Sequence, residues 1–129
     1  MQDDCRYGLA RTLEKQDKLD EAEKLYLAVA AKTGGRLAAD AQFRLGAVQY
    51  AMGKHDEAVR TFDAFENALA GSPRQASARL GRGWALYKLG KPSEAAACFQ
   101  KIIGDAKYGV DARYWLGLCQ KVQKDFAAA

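Results

Sequence analysis

The sequence predicts an all-α protein, an α-solenoid of stacked antiparallel helix pairs, and two observations carry that prediction. The first is composition. Ala, Leu, Lys, Glu, Gln and Arg dominate, all good helix formers, and the only prolines are Pro73 and Pro92. With 49% hydrophobic and 28% charged residues the chain is made like a folded soluble domain rather than a disordered one. Its 129 residues suffice for one domain with a real core, not two. The second observation is an internal repeat, the sequence signature of a solenoid.

Three stretches, 45–58, 82–95 and 116–129, align without gaps, and a weaker copy runs from Leu9-Ala10 to Glu21-Ala22. In every copy a small residue precedes an alanine by twelve positions: Ala10 and Ala22, Gly46 and Ala58, Gly83 and Ala95, Gly117 and Ala129. Successive alanines are 36, 37 and 34 residues apart. An aromatic follows four residues after the alanine in the three complete copies, at Tyr26, Phe62 and Phe99. Glycine in mid-helix costs about 1 kcal/mol relative to alanine, so Gly46, Gly83 and Gly117 imply that a partner helix approaches closely. Ala22, Ala58 and Ala95 are predicted to face them from the second helix. Gly53 and Gly90 then end the first helix in a left-handed cap.

Each element follows in order. The first hairpin spans about Asp4–Gln16 and Leu19–Lys32, the second about Leu37–Met52 and His55–Leu69. The third spans about Arg74–Leu89 and Pro92–Ile103, with Pro92 in the first helical turn, where its missing N–H costs nothing. A last first-type helix runs near Val110–Val122, leaving about one turn for its partner before Ala129. The links Thr33-Gly34-Gly35-Arg36 and Gly71-Ser72-Pro73-Arg74 stretch two of the repeats. The chain is thus read as one array over 1–129, with repeats near 3–36, 37–72, 73–106 and 107–129, the last truncated. Cys5, Ala41, Ala78 and Ala112 occupy equivalent places predicted to face the preceding hairpin. Cys5 has none before it, and neither end carries the polar cap a repeat array needs. A piece of a longer chain is expected; a short chain dimerising through its open ends is the alternative.

The spacing and the order Leu45, Gly46, Gly53, Ala58, Phe62, then Gly83, Gly90, Ala95, Phe99, then Leu116, Gly117 resemble the tetratricopeptide repeat (TPR). The resemblance covers nearly the whole chain and implies a right-handed superhelix. Two features depart from it. Arg6, Gln42, Arg79 and Arg113 replace a bulky aromatic early in the first helix, and Arg82 stands where other copies have leucine. The long links resemble those in TPR domains of bacterial envelope proteins, such as the Tol–Pal accessory protein and outer-membrane assembly lipoproteins. That likeness favours the cell envelope slightly over the cytoplasm without fixing the compartment.

The TPR resemblance also implies a site. In that family the concave surface is lined by the first helix of each pair, through residues three before, one after and four after the small residue. Those offsets share one helix face. Here they select Tyr7, Arg11 and Glu14; Phe43, Ala47 and Tyr50; Leu80, Trp84 and Tyr87; Tyr114, Leu118 and Lys121. Six of the twelve are aromatic, which suits a peptide with apolar anchors. The candidate peptide-binding set is Tyr7, Arg11, Phe43, Tyr50, Leu80, Trp84, Tyr87, Lys88, Tyr114 and Lys121. The same aromatics, Tyr50 and Tyr87 among them, also suit bracing between hairpins. A terminal-carboxylate clamp of the kind used by chaperone-tail binders is argued against, since Arg11, Lys88 and Lys121 are too scattered.

Other functions find little support. A single histidine, His55, predicted solvent-facing at a turn, nearly excludes a charge relay, and no CxxC or HxxxH pair offers a metal site. Gly81, Gly83 and Gly90 fall on and after a helix, not between strand and helix, so they form no phosphate loop. No cofactor and no enzymatic activity are expected. Cys5, Cys98 and Cys119 are predicted to be buried free thiols, a Cys98–Cys119 bridge being the lesser alternative. The net charge of +4 is spread along the chain rather than clustered, which argues against nucleic acid. No apolar run approaches the ~20 residues of a membrane span. A protein or peptide partner, with homo-oligomerisation as the competing role for the aromatic faces, is the resulting expectation.

Overall fold

The computed structural model describes residues 2–31, 37–68 and 74–128, apart from the side chains of 2–4, 67–68 and 125–128. Among them are seven helices and no strand: α1 Gln2–Lys15, α2 Leu19–Ala30, α3 Ala38–Ala51, α4 His55–Ala68, α5 Gln75–Lys88, α6 Pro92–Gln100 and α7 Gly109–Ala128. Each helix packs on the next in sequence, and α3 also packs directly on α5. The result is three hairpins and a lone seventh helix. The links 33–36 and 71–73, and the expected ends at Lys32 and Leu69, lie outside the described residues.

The turns inside the hairpins share one device. Asp17, Gly53 and Gly90 have φ of 64°, 81° and 78°. Each sits seven residues after the small residue of its first helix. The N–H of Gly53 reaches the carbonyl of Tyr50 (3.0 Å) and that of Lys54 reaches Gln49 (2.9 Å); Gly90 and Lys91 repeat this on Tyr87 and Leu86. This paired bonding closes the carbonyls left open at a helix end. In the last copy the equivalent residue is Lys124. A bulky side chain resists the left-handed conformation, and α7 runs on to Ala128 rather than stopping near Val122. No separate eighth helix opens within the described residues.

The core forms between hairpins. Ala10, Ala22, Tyr26 and Val29 pack with Ala41, Leu45 and Val48 of the next pair. Ala58, Phe62 and Phe65 pack with Ala78 and Ala85, and Leu86, Ala95, Cys98, Phe99 and Ile102 with Ala112 and Cys119. Each layer therefore depends on its neighbour, as in a quasi-one-dimensional array. Ala41, Ala78 and Ala112 are buried as expected. Cys5 is exposed rather than buried, while Cys98 and Cys119 are buried and unbridged. Burial pushes both of the latter thiols up, Arg82 partly opposing this at Cys98.

The mid-helix glycines pack tightly, though against a different partner than expected. A methyl built on Gly46 would fall 2.7 Å from the ring of Phe62, and one on Gly83 would fall 2.6 Å from Phe99. The nearest neighbour is thus the aromatic four residues after the alanine, because that ring reaches across the gap the small residues leave. Gly81 meets Phe62 as well, at 2.6 Å, from the following hairpin.

Polar residues that replace the family's apolar ones join helices within and between hairpins. Gln42 Nε2 donates to the Thr61 carbonyl at 3.0 Å, and Arg79 Nε donates to Glu66. Arg82 pairs with Asp63 at 3.6 Å and reaches Cys98 Sγ at 3.5 Å. Buried Gln49 accepts from Thr61 Oγ1 and donates to Glu23, which also accepts from Lys54 Nζ at 3.0 Å. Satisfied in this way, the polar atoms tie α2, α3 and α4 together without the full cost of a bare buried group.

Candidate binding groove on the first helices

Phe43, Ala47 and Tyr50 recur along α3 at intervals of four and three residues, and so do Ser77, Gly81 and Trp84 along α5. Each set lies on one helix face. With Phe62 of α4 beneath, they enclose an apolar hollow of about 200 Å³. No charged residue lines it. The Ser77 hydroxyl there donates to Tyr108 Oη at 2.7 Å. At one edge the Arg74 guanidinium stands 5.3 Å above the Phe43 ring and pairs with Asp40 at 3.2 Å.

What separates this groove from its neighbours is the residue two positions before the small one. That residue is Arg44 on α3, Gly81 on α5 and Trp115 on α7. Arg44 occupies the space between α1 and α3: it hydrogen-bonds Tyr7 and lies 3.9 Å from Glu14, which accepts the Tyr26 hydroxyl at 2.7 Å. Burial, then that bond to a carboxylate, pushes the Tyr26 phenol well above its ordinary value. Trp115 fills the space between α5 and α7, stacked on Phe99 at 6.2 Å and edge-on to Tyr87 at 5.4 Å. Gly81 sends no side chain into its groove; the Phe62 ring packs against its backbone, and the hollow lies over the two.

The predicted contact residues divide accordingly. Phe43, Tyr50, Trp84 and Tyr87 are half-buried, whereas Arg11, Lys88, Lys121 and Tyr114 are exposed, Tyr114 by 64%. Tyr7 is half-buried, edge-on to Tyr26 at 5.8 Å. Leu80 is a correction. It is 3% exposed and packs in the third core layer, so its side chain serves the core rather than the surface. His55 is another: it is half-buried, its ring 5.1 Å from Tyr50, with a buried Nδ1 that has no hydrogen-bond partner. The turn residues around it fold the imidazole back onto α3.

The aromatic row is continuous, through a residue the sequence reading omitted. Tyr50 meets Trp84 at 6.1 Å, and Trp84 meets Trp115 at 6.1 Å. Trp115 also touches Tyr114 at 6.0 Å. Trp115 aligns with Gly81 and Arg44, two residues before the small one, an offset outside the three contact offsets of the family. Among the described residues no cluster of His, Cys, Asp and Glu could hold a metal ion, and no helix is long and apolar enough to cross a membrane.

Comparison with known proteins agrees with this architecture. No curated protein matches the sequence. Among solved structures, the chain is similar to the nearly identical TPR-like repeats of a Podosopora anserina protein assigned as a kinesin light chain, with a TM-score of 0.75 at 16% identity. A variant of that protein gives 0.76 at the same identity. Both similarities cover 93% of this chain and 66% of theirs, so it spans slightly under two thirds of their length. The tetratricopeptide-repeat sequence profile matches residues 7–64, 63–109 and 84–129. These matches take in nearly every residue, and the chain belongs to the tetratricopeptide repeat family.

Proposed function

We propose that this chain is a non-catalytic scaffold that binds a peptide or protein segment on the concave face formed by its first helices. TPR repeats generally mediate protein–protein interaction. The observation that carries the reading is the half-buried aromatic row Phe43, Tyr50, Trp84 and Tyr87 beside an apolar hollow. Such side chains give large contact area for little entropy loss, which is why they concentrate at binding hot spots. Selection of a displayed peptide library on the protein, followed by binding of the selected peptides to Trp84→Ala and Tyr87→Ala variants, tests it. At least a tenfold loss in both is expected; selected peptides that bind the variants as well as the parent count against it.

A second reading, self-association, is favoured by a different surface. On α7, Val110 and Tyr114 are 79% and 64% exposed, and a methyl on Gly117 would meet nothing within 4 Å. At the equivalent Gly46 and Gly83 an aromatic ring from the next helix fills that place. Light scattering across a concentration range decides this reading, with a mass that rises towards a dimer supporting it and a constant monomer opposing it.

A further inference from the structure

We propose that Gly81 makes the α3–α5 groove the anchor subsite of this face, taking one leucine- or methionine-sized side chain from an extended acidic peptide whose carboxylate, about three residues away, meets Arg44. This rests on the peptide-binding reading above and specifies its ligand. Size points to a side chain rather than a whole small molecule. The hollow holds about 200 Å³, whereas sites that enclose a drug-sized ligand run from about 300 to 1,000 Å³. The surface it presents is almost wholly apolar, so a charged group entering it would lose most of its hydration.

The number of anchors follows from the repeat. At position 81 no side chain enters the groove, whereas the Arg44 side chain occupies the groove before and Trp115 the groove after. One apolar anchor is therefore accommodated, not a row of them.

The acidic requirement comes from the neighbouring groove. Arg44 is 26% exposed; its Nε is buried, one bond goes to Tyr7 and Glu14 stands 3.9 Å away, so the terminal N–H groups are the ones an incoming carboxylate can meet. A guanidinium with five donors binds an incoming carboxylate in charge-assisted bonds. Arg11 on α1 and Arg74 beside Phe43 add positive charge, against Glu14 and Asp40. Adjacent helices lie about 8–10 Å apart and an extended chain advances about 3.3 Å per residue, which sets the spacing at about three residues.

The test uses a fluorescein-labelled serine–glycine nonapeptide with leucine at its centre and glutamate three residues to either side. Control peptides carry alanine for the leucine or glutamine for both glutamates, and anisotropy is read with the whole protein. Exchanging leucine for alanine is expected to weaken binding at least about tenfold. Ala47→Leu, which fills the hollow and leaves Gly81 and Phe62 unchanged, is expected to bring the leucine peptide down to the alanine peptide's affinity. Arg44→Gln is expected to erase the preference for glutamate over glutamine. Equal binding of leucine and alanine peptides, or indifference to Ala47→Leu, overturns the proposal. If that happens while Trp84→Ala still weakens every peptide, the groove reading stands and the anchor assignment alone fails. If no peptide binds at all, the anchor proposal fails with the reading beneath it.

Discussion

Gly81 lies against the ring of Phe62 so closely that a single added methyl would fall 2.6 Å from it. The two residues belong to successive hairpins, so the contact joins repeats as well as helices. Gly46 meets the same ring from within Phe62's own hairpin at 2.7 Å. One aromatic thus sets the distance between α3, α4 and α5, and the hollow lies over that ring and Gly81 together.

This close approach separates the glycines by consequence. Alanine at Gly46 or Gly83 gains up to about 1 kcal/mol of helix propensity but forces an aromatic ring aside in a packed core, at about 1–3 kcal/mol. Both variants should be less stable in urea denaturation. Gly117→Ala meets open space and should be more stable by about 0.5–1 kcal/mol. Equal effects at the three positions would show the repeat register to be wrong.

The turns give a second contrast. Gly90 has φ of 78°, where a Cβ costs about 1–2 kcal/mol, so Gly90→Ala should lower stability by roughly that amount. Asp17 already bears a side chain at φ 64°, and Asp17→Gly should raise stability by up to about 1 kcal/mol. Thermal denaturation of the two variants checks both signs.

Trp115 is the hub of the last core layer, touching Trp84, Tyr87, Phe99 and Tyr114. It remains partly exposed, so Trp115→Ala should cost about 2–4 kcal/mol, below or within the range for fully buried aromatics. The near-ultraviolet circular dichroism should collapse with it. A loss below about 1 kcal/mol would mean that the ring serves the surface alone.

Stability should fall at alkaline pH. Burial raises the Cys98, Cys119, Tyr50 and Tyr26 groups above their ordinary values. Above the thiol's unfolded value of about 8.5, the unfolded chain releases protons that the folded one retains, so stability present below that pH is lost as pH rises. Melting temperature should drop between pH 8 and 10.5. The Cys98→Ala, Cys119→Ala double variant should flatten the first part of the fall, and Tyr26→Phe the part above pH 10. A flat profile in the parent protein would contradict the burial of these groups.

Most of the fold was legible because its signals are periodic. Gly53 and Gly90 marked the turns that their positive φ requires, and the spacing of Ala22, Ala58 and Ala95 marked buried positions. The misses are local and share a physical cause. Leu80 sits at a contact offset, yet the approach of α7 buries it. Trp115 and Gly81 act through a groove between helices, which a rule applied to one helix at a time does not see. The overrun of α7 to Ala128 followed from Lys124 at a place where glycine or aspartate ends the other first helices.

The central claim is that the first helices present a peptide-binding face, and amide chemical-shift mapping of the isotope-labelled protein titrated with a library-selected peptide tests it most directly. Perturbations concentrated on Phe43, Ala47, Tyr50, Trp84 and Tyr87, with saturation at one peptide per chain, are the predicted result. Perturbations confined to α2, α4 and α6, or to the exposed α7 face around Val110, Tyr114 and Gly117, would contradict it.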